Sequence, residues 1–346
     1  MSATIEASRP SNRIDWEAEI ALPKSFPNMV LQRRGPKTGD LTIFLTGATG
    51  YLGRHLLASL IKDDRVTHIV VLLHSVADIG TSIHRRDKVS FVEGDISLPN
   101  LHLSESLFRN LTETVDVVVH CAANRSFWDN YEVLRLVNLE SVKELARLTA
   151  KHALPLHFMS SGAVTLYANG ITPPTDGSNG YVGTKWAAEE FLHRASVEFG
   201  MPVYIHRPTT MQQAFEDTTH RDDVLKQLIE CGNKLGARPN FDDICGSVDV
   251  IPIEIIVRSI HQSIISSTSF SSIDGGLVQI LNYEANLRVL VKDFAMDAKS
   301  NEKLHKLPSM PILEWFGRAK RTGFGYFITA QDLEMGTKDG MLVSKR

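Results

Sequence analysis

Apolar positions between residues 41 and 206 come in short unbroken runs: "LTIFLT" (41–46), "THIVVLL" (67–73), "KVSFV" (88–92), "VDVVVH" (115–120), "PLHFMS" (155–160) and "PVYIH" (202–206). Runs without polar alternation mark strands covered on both faces, the habit of a parallel sheet. Between them lie stretches with helical spacing, at about 51–62, 131–152 and 181–199. Strands alternating with helices predict an α/β fold, a doubly wound parallel Rossmann sheet with right-handed crossovers. Residues 1–40 mix Pro, Ser, Arg and Asp around "DWEAEIAL" and predict an arm with one short helix. Beyond 210 the alternation stops. "VDVIPI" (248–253), a serine-rich loop (266–272) and "GLVQILNY" (276–283) suggest a smaller, mainly helical C-terminal region over the substrate. The expected division is arm 1–40, nucleotide-binding domain 41–210 and substrate- and carrier-facing region 211–346.

The first strand runs into "TGATGYLGRHLL" (46–57), with glycines at 47, 50 and 53. Such a turn serves a tight bend, close approach of backbone to a pyrophosphate, and close helix–sheet packing, with the helix N-terminus facing the phosphates. Gly47, Thr49, Gly50, Tyr51, Leu52, Gly53 and Arg54 are therefore expected around a nicotinamide dinucleotide. At the end of the second strand, where a carboxylate would take a ribose hydroxyl, the chain reads "VLLHS" and offers His74. The missing acid favours NADPH without excluding NADH, and Arg54, Arg85 and Arg86 are cations within range. Asp95 and Ile96, in "EGDI", are expected beside the adenine. Ala122 and Ala123, in "HCAAN", are expected beside the nicotinamide ribose, while His120 and Cys121 read as packing residues.

The fifth strand leads into "MSSGAV" (159–164), and "GYVGTKWAAEEF" (180–191) opens the next long helix. Tyr181 and Lys185, four apart, share a helix face. A lysine ammonium stabilises the phenolate, Ser161 binds a developing oxyanion and Tyr181 transfers the proton. Asn138, inside the preceding long helix, is expected among the cofactor contacts, holding a water or kinking that helix near the site, and Pro208 to touch the nicotinamide.

These segments, with "VVHCAANRSFWDNYEVLRLVNLESVKELARLTA", resemble the extended short-chain dehydrogenase/reductases. More narrowly, the chain resembles the terminal thioester reductase domains of nonribosomal peptide synthetases and fungal polyketide–peptide hybrid synthases. The likeness covers roughly 41 to 210, and "IDWEAEIALP" and "GSVDVIPIE" extend it. It implies Ser161, Tyr181 and Lys185 as the working set and a phosphopantetheine thioester on a carrier protein domain as substrate. Reductive release as an aldehyde, possible onward reduction to the alcohol, and secondary metabolite biosynthesis follow from the same resemblance. Relatives usually end the second strand with arginine, which is absent here. Some fungal relatives release their chain by redox-independent Dieckmann condensation to a tetramic acid, which needs only a base and a thiol leaving group. The complete Ser/Tyr/Lys set favours reduction over that alternative. It also speaks against a non-catalytic nicotinamide-binding regulator, and a sugar-nucleotide epimerase lacks support in the C-terminal part.

Composition narrows the picture further. The 346 residues are 43% hydrophobic and 22% charged, with net charge −3, which fits a globular enzyme and offers no basic stripe for nucleic acid. No apolar run reaches membrane-spanning length and no signal core opens the chain, so a cytoplasmic protein is expected. The three cysteines, Cys121, Cys231 and Cys245, have no metal-ligand spacing, so no metal is expected. In "LPSMPILEWFGRAKRTGFGYF" (307–327), Trp315, Phe316, Phe324 and Phe327 read as core anchors or as the wall of an acyl tunnel. Asp249 is a candidate base for a cyclase.

Overall fold

The computed structural model describes residues 13–23, 26, 31–75, 87–126, 129–167, 170–212, 231–240, 244–245, 247–269, 277–285, 287–290, 302–321, 335–338 and 341–344. Strands β1 (Leu41–Thr46), β2 (Val66–Leu73), β3 (Val89–Glu93), β4 (Val117–His120), β5 (Leu156–Met159) and β6 (Pro202–Pro208) lie in the order β3-β2-β1-β4-β5-β6. Every neighbouring pair is parallel. A seventh strand, Leu277–Tyr283, adds parallel to β6, with Tyr283 beside Pro208. The sheet thus draws its last strand from beyond residue 210. Helix Ile253–Ser267 precedes that strand and packs on the same face as α2 (Tyr51–Ile61).

Alternate residues of each strand enter two cores. Phe44, Val118, Phe158 and Ile205 face α5 (Ser141–Ala150) and α6 (Gly180–Phe199), whereas Ile43, Leu45, Val117 and Val119 face α2 and helix Ile253–Ser267. Burial on both faces explains the unbroken hydrophobic runs. Each fully buried Leu, Ile or Phe contributes about 2 kcal/mol.

The arm is part of this core. Helix α1 (Trp16–Glu19) is capped by the Asp15 carboxylate, which accepts from the Ala18 N–H. Trp16 stands edge-on to Tyr131 and Trp186, and its Nε1 donates to the Pro173 carbonyl at 2.8 Å. Glu19 accepts from the Tyr131 hydroxyl at 2.7 Å and pairs with Arg135. The arm therefore braces α4 (Tyr131–Arg135) and the start of α6.

On the opposite face, His261 joins helix Ile253–Ser267 to α2, with Nδ1 at 2.7 Å from Ser59 Oγ and Nε2 at 2.8 Å from Asp63 Oδ2. The hydrogen bond and charge of Arg65 hold the Asp63 carboxyl well below the usual range. The partners match a hydrolytic triad in type only. Ser59 lies within a helix whose backbone N–H groups are already engaged, so no oxyanion donors face it. The cluster clamps two helices.

A chain of neutral polar groups threads the β5–β6 layer. The Tyr283 hydroxyl lies 2.6 Å from His206 Nδ1, His206 Nε2 lies 3.0 Å from His157 Nδ1, and His157 Nε2 lies 3.0 Å from Ser267 Oγ. Because Ser267 donates to the Ile264 carbonyl, it accepts from His157, which fixes one neutral tautomer on each ring. Burial pulls His206 down to about 3 and lowers His157 strongly. His120, also fully buried, is likewise pulled to about 3, chiefly by burial and secondarily by Lys185.

Those histidines make the fold acid-sensitive before its carboxylates titrate. The unfolded chain binds their protons near pH 6.5, whereas the folded chain refuses them until far lower pH. Their contribution is therefore complete above about pH 6.5 and is lost as pH falls, at roughly 1.4 kcal/mol per pH unit for each histidine. We expect the thermal midpoint to drop steeply between pH 6.5 and 5. A midpoint that stays level across that window in differential scanning calorimetry contradicts the neutral assignment.

Candidate functional site

The glycine turn has the geometry its sequence implies. Gly47 sits at φ +72°, and a Cβ there would stand 2.4 Å from the Ala122 backbone nitrogen. A Cβ on Gly53 would stand 2.0 Å from the Gly47 carbonyl oxygen. These contacts leave room only for glycine and press β1, α2 and the segment after β4 together. Gly50 opens α2 without a side-chain cap, and Thr49 and Gly50 are exposed. Exposure is thus confined to the residues just ahead of the helix, where an anion would approach its N-terminus. Leu52 and Gly53, in contrast, are buried against the sheet and shape the turn from within. The Arg54 guanidinium lies 5.3 Å from the Tyr51 ring centre.

At the end of β2, the His74 side chain is 80% exposed and 3.9 Å from Asp95. The Asp95 carboxylate accepts from the Ser97 hydroxyl at 2.6 Å and the Ser97 N–H at 2.9 Å, which lowers its pKa. Ile96 packs on the core. Arg85 and Arg86 lie outside the described residues. Ala122 and Ala123 are half-buried beside Gly47.

Ser161, Tyr181 and Lys185 come from the end of β5 and the start of α6. Lys185 is 1% exposed; its Nζ donates to the Met159 carbonyl at 2.8 Å and stands 4.6 Å from the Phe158 ring centre. Burial pulls its pKa down to about 7, against upward pulls from Cys121 and Glu189, while Arg125 adds to the depression. Burial also pushes the Cys121 thiol up to about 12, in keeping with its reading as a packing residue. Tyr181, one turn before Lys185, is 9% exposed.

Of the two serines, Ser160 is buried and its hydroxyl donates to Glu189. Ser161 is half-exposed, its Oγ accepting from the Ala163 N–H at 3.2 Å. Gly162 brings this turn beside Pro208, where a Cβ would stand 3.4 Å from the Pro208 carbonyl.

Asn138 departs from the expected cofactor contact. It is fully buried, and its amide is spent on protein: Oδ1 accepts from the Asn124 N–H at 2.8 Å, and Nδ2 donates to the Asn124 carbonyl at 2.9 Å and to Thr184 Oγ1 at 3.1 Å. The long helix expected over 131–152 is divided here by a π-helical turn, Leu136–Glu140. Such a turn frequently marks a functional site, and this one aims Asn138 sideways. The residue ties the segment after β4 to α6 and positions the site without lining it.

Glu189 and Arg207 escaped the sequence reading, although the acidic residue four places after Lys185 was a usable signal. Arg207 Nε lies 3.0 Å from Glu189 Oε1, and its Nη2 pairs with Oε2. Trp315 is fully buried, with Nε1 donating to the Ala237 carbonyl at 2.8 Å, which makes it an anchor. Residue 316 continues the helix Ile312–Arg321, and Phe324 and Phe327 lie outside the described residues. Asp249 sits within the strand Ser247–Pro252, opposite Arg288. Among the described residues no cluster of His, Cys, Asp or Glu is suited to a metal, and no helix is long and apolar enough to cross a membrane.

Residues 45–260 match the family described as male sterility protein, an NAD-binding family. The chain belongs to that family. All of this chain is 46% identical to part of trichosetin synthetase of Gibberella fujikuroi, and 98% of it is 42% identical to part of equisetin synthetase of Fusarium heterosporum. It spans only 9% and 8% of those proteins. The terminal R domain from the myxalamid polyketide–nonribosomal peptide pathway superimposes with a TM-score of 0.64 at 24% identity, over 91% of this chain and 85% of that one. The male sterility family member therefore has the extended short-chain dehydrogenase/reductase fold of R domains.

For Asn138→Ala we expect a loss of roughly 1–3 kcal/mol in urea unfolding, because the Asn124 N–H and carbonyl lose the amide that satisfies both and Thr184 Oγ1 loses a donor. An unchanged midpoint removes the positioning role.

Proposed function

We propose that this domain releases an acyl chain, held as a phosphopantetheine thioester on a carrier domain of the same hybrid synthase, by redox-neutral Dieckmann cyclisation. The observation that carries the reading is the state of Lys185. It is 1% exposed with Nζ on a single backbone carbonyl, and this burial pulls its pKa down to about 7, toward the free amine that suits a base. A fixed ammonium, as reduction prefers, would call for stronger counter-charge. Kinship over the whole chain with trichosetin and equisetin synthetases supports the same choice, as does the exposed His74 at the end of β2 where a guanidinium would grip a 2′-phosphate.

In this mechanism the Lys185 amine takes a proton from an acidic carbon flanked by two carbonyls, directly or through the Tyr181 hydroxyl. The carbanion attacks the thioester carbonyl, and Ser161 and Tyr181 donate to the resulting oxyanion. Collapse leaves a new C–C bond, breaks the C–S bond and expels the thiolate. The proton held by Lys185 returns to that sulfur. No oxidant or reductant is consumed.

Reductive release is the second reading, and the glycine turn favours it: Gly47 and Gly53 have no room for a Cβ against the backbone of Ala122 and Gly47, the close packing of strand, turn and helix that a dinucleotide-binding turn uses. Gly47, Thr49 and Gly50 would hold the pyrophosphate, with Ala122 and Ala123 beside the ribose. NADPH, when bound, supplies a hydride. In that case Tyr181 delivers the proton, Ser161 holds the oxyanion and Lys185 acts as ammonium. We read the region after 210 as the face that meets the acyl chain and its carrier.

A β-ketoacyl-aminoacyl pantetheine thioester, offered with no nicotinamide, with NADH and with NADPH, separates the readings. We expect free thiol and cyclised product at equal rates in all three, and a fall of about 10²-fold or more in Lys185→Met. Aldehyde formation with loss of nicotinamide absorbance at 340 nm overturns cyclisation in favour of reduction.

A further inference from the structure

Lys185 and Glu189 lie one turn apart on α6 and grip consecutive residues of one strand end. Lys185 Nζ donates to the Met159 carbonyl at 2.8 Å, and the Glu189 carboxylate accepts from the Ser160 hydroxyl. Glu189 is 3% exposed and is held from β6 by Arg207, whose Nε reaches both carboxylate oxygens, at 3.0 and 3.2 Å. Ser161 is the next residue along, so this grip on Met159 and Ser160 also sets where its backbone leaves the strand.

We propose that Glu189 is a positioning residue for this site, clamping the Ser160 end of β5 to α6 and serving as the negative counter-charge for Lys185. The groups facing Lys185 bear this out. From α6 comes Glu189; from β4 and the segment after it come His120, Cys121 and Arg125; β5 gives the Phe158 ring and the Met159 carbonyl; β6 acts through Arg207. His120 is neutral because burial holds it near 3, and the Cys121 thiol, at about 12, is neutral where Lys185 titrates. Arg125 repels the ammonium. Glu189 is left as the standing negative charge among the described groups. A carboxylate one helical turn along raises the lysine's hold on its proton against the pull of burial.

The inference rests on Lys185 acting as the base, so its test reads the resting protein as well as turnover. The Lys185 Nζ signal, assigned by its loss in Lys185→Met, is titrated by 15N NMR in Glu189→Gln, Glu189→Asp and Ser160→Ala. Glu189→Gln should lower the midpoint by about one pH unit or more and carry the rise of thioester release to correspondingly lower pH. Glu189→Asp should return the midpoint toward its original value. Ser160→Ala should slow release without moving the midpoint, since it cuts the clamp and leaves the charge. Should Glu189→Gln fail to fold, the pair Glu189→Gln/Arg207→Met leaves no unpaired guanidinium and is read the same way. An unmoved midpoint overturns the counter-charge. A moved midpoint with an unmoved release profile upholds it and overturns Lys185 as the base.

Discussion

A lysine nitrogen shut away from water is the constraint around which this molecule is arranged. Isolated burial of its charged form costs several kcal/mol, and the structure answers with a carbonyl at 2.8 Å, an aromatic face and a carboxylate one turn along the helix. Each answer fixes geometry. The carbonyl belongs to the last residue of β5 and the carboxylate holds the residue after it, so satisfying Lys185 sets where Ser161 emerges. The brace from the arm, through Trp16 and Glu19 onto α4 and α6, keeps the helix that carries Lys185 from shifting.

The two faces of the sheet divide the labour. On one, α2 and helix Ile253–Ser267 are locked by His261 across Ser59 and Asp63, at the end of α2 away from the glycine turn. On the other, the π-helical turn and Asn138 tie the segment after β4 to α6. His120 joins the halves, with Nδ1 at 2.7 Å from Thr46 Oγ1 and Nε2 at 3.2 Å from Ser141 Oγ. The glycine turn after β1 and the Ser161, Tyr181 and Lys185 segments thereby lie along one edge of one sheet, where open α/β folds bind ligands.

Much of this was legible in sequence because the signals are local. Strands buried on both faces cannot alternate, so β1 to β6 announce themselves, and a turn where Cβ atoms collide must spell its glycines. The seventh strand was harder. "GLVQILNY" lies at the sheet edge with Gln279 and Ile280 exposed, and nothing in its residues says that it pairs with β6. Asn138 was read as a cofactor contact because a polar residue in a long helix near the site invites it. Its partners, Asn124 and Thr184, are 14 and 46 residues away, and only the tertiary fold brings them together. The Glu189–Arg207 pair was missed for the same reason, since its value depends on β6 lying beside β5.

The same separation explains why fold and chemistry come apart here. The cradle and the Ser/Tyr/Lys set are compatible with both hydride transfer and carbon–carbon closure, because both need an oxyanion held and a proton moved. What differs is the lysine. Reduction gains from a permanent ammonium, which lowers the phenol's hold on its proton; closure gains from an amine that can accept one. Lys185 is buried, with a carbonyl at 2.8 Å and an aromatic face beside it, so the demand it meets turns on how far burial lowers the nitrogen's hold on a proton.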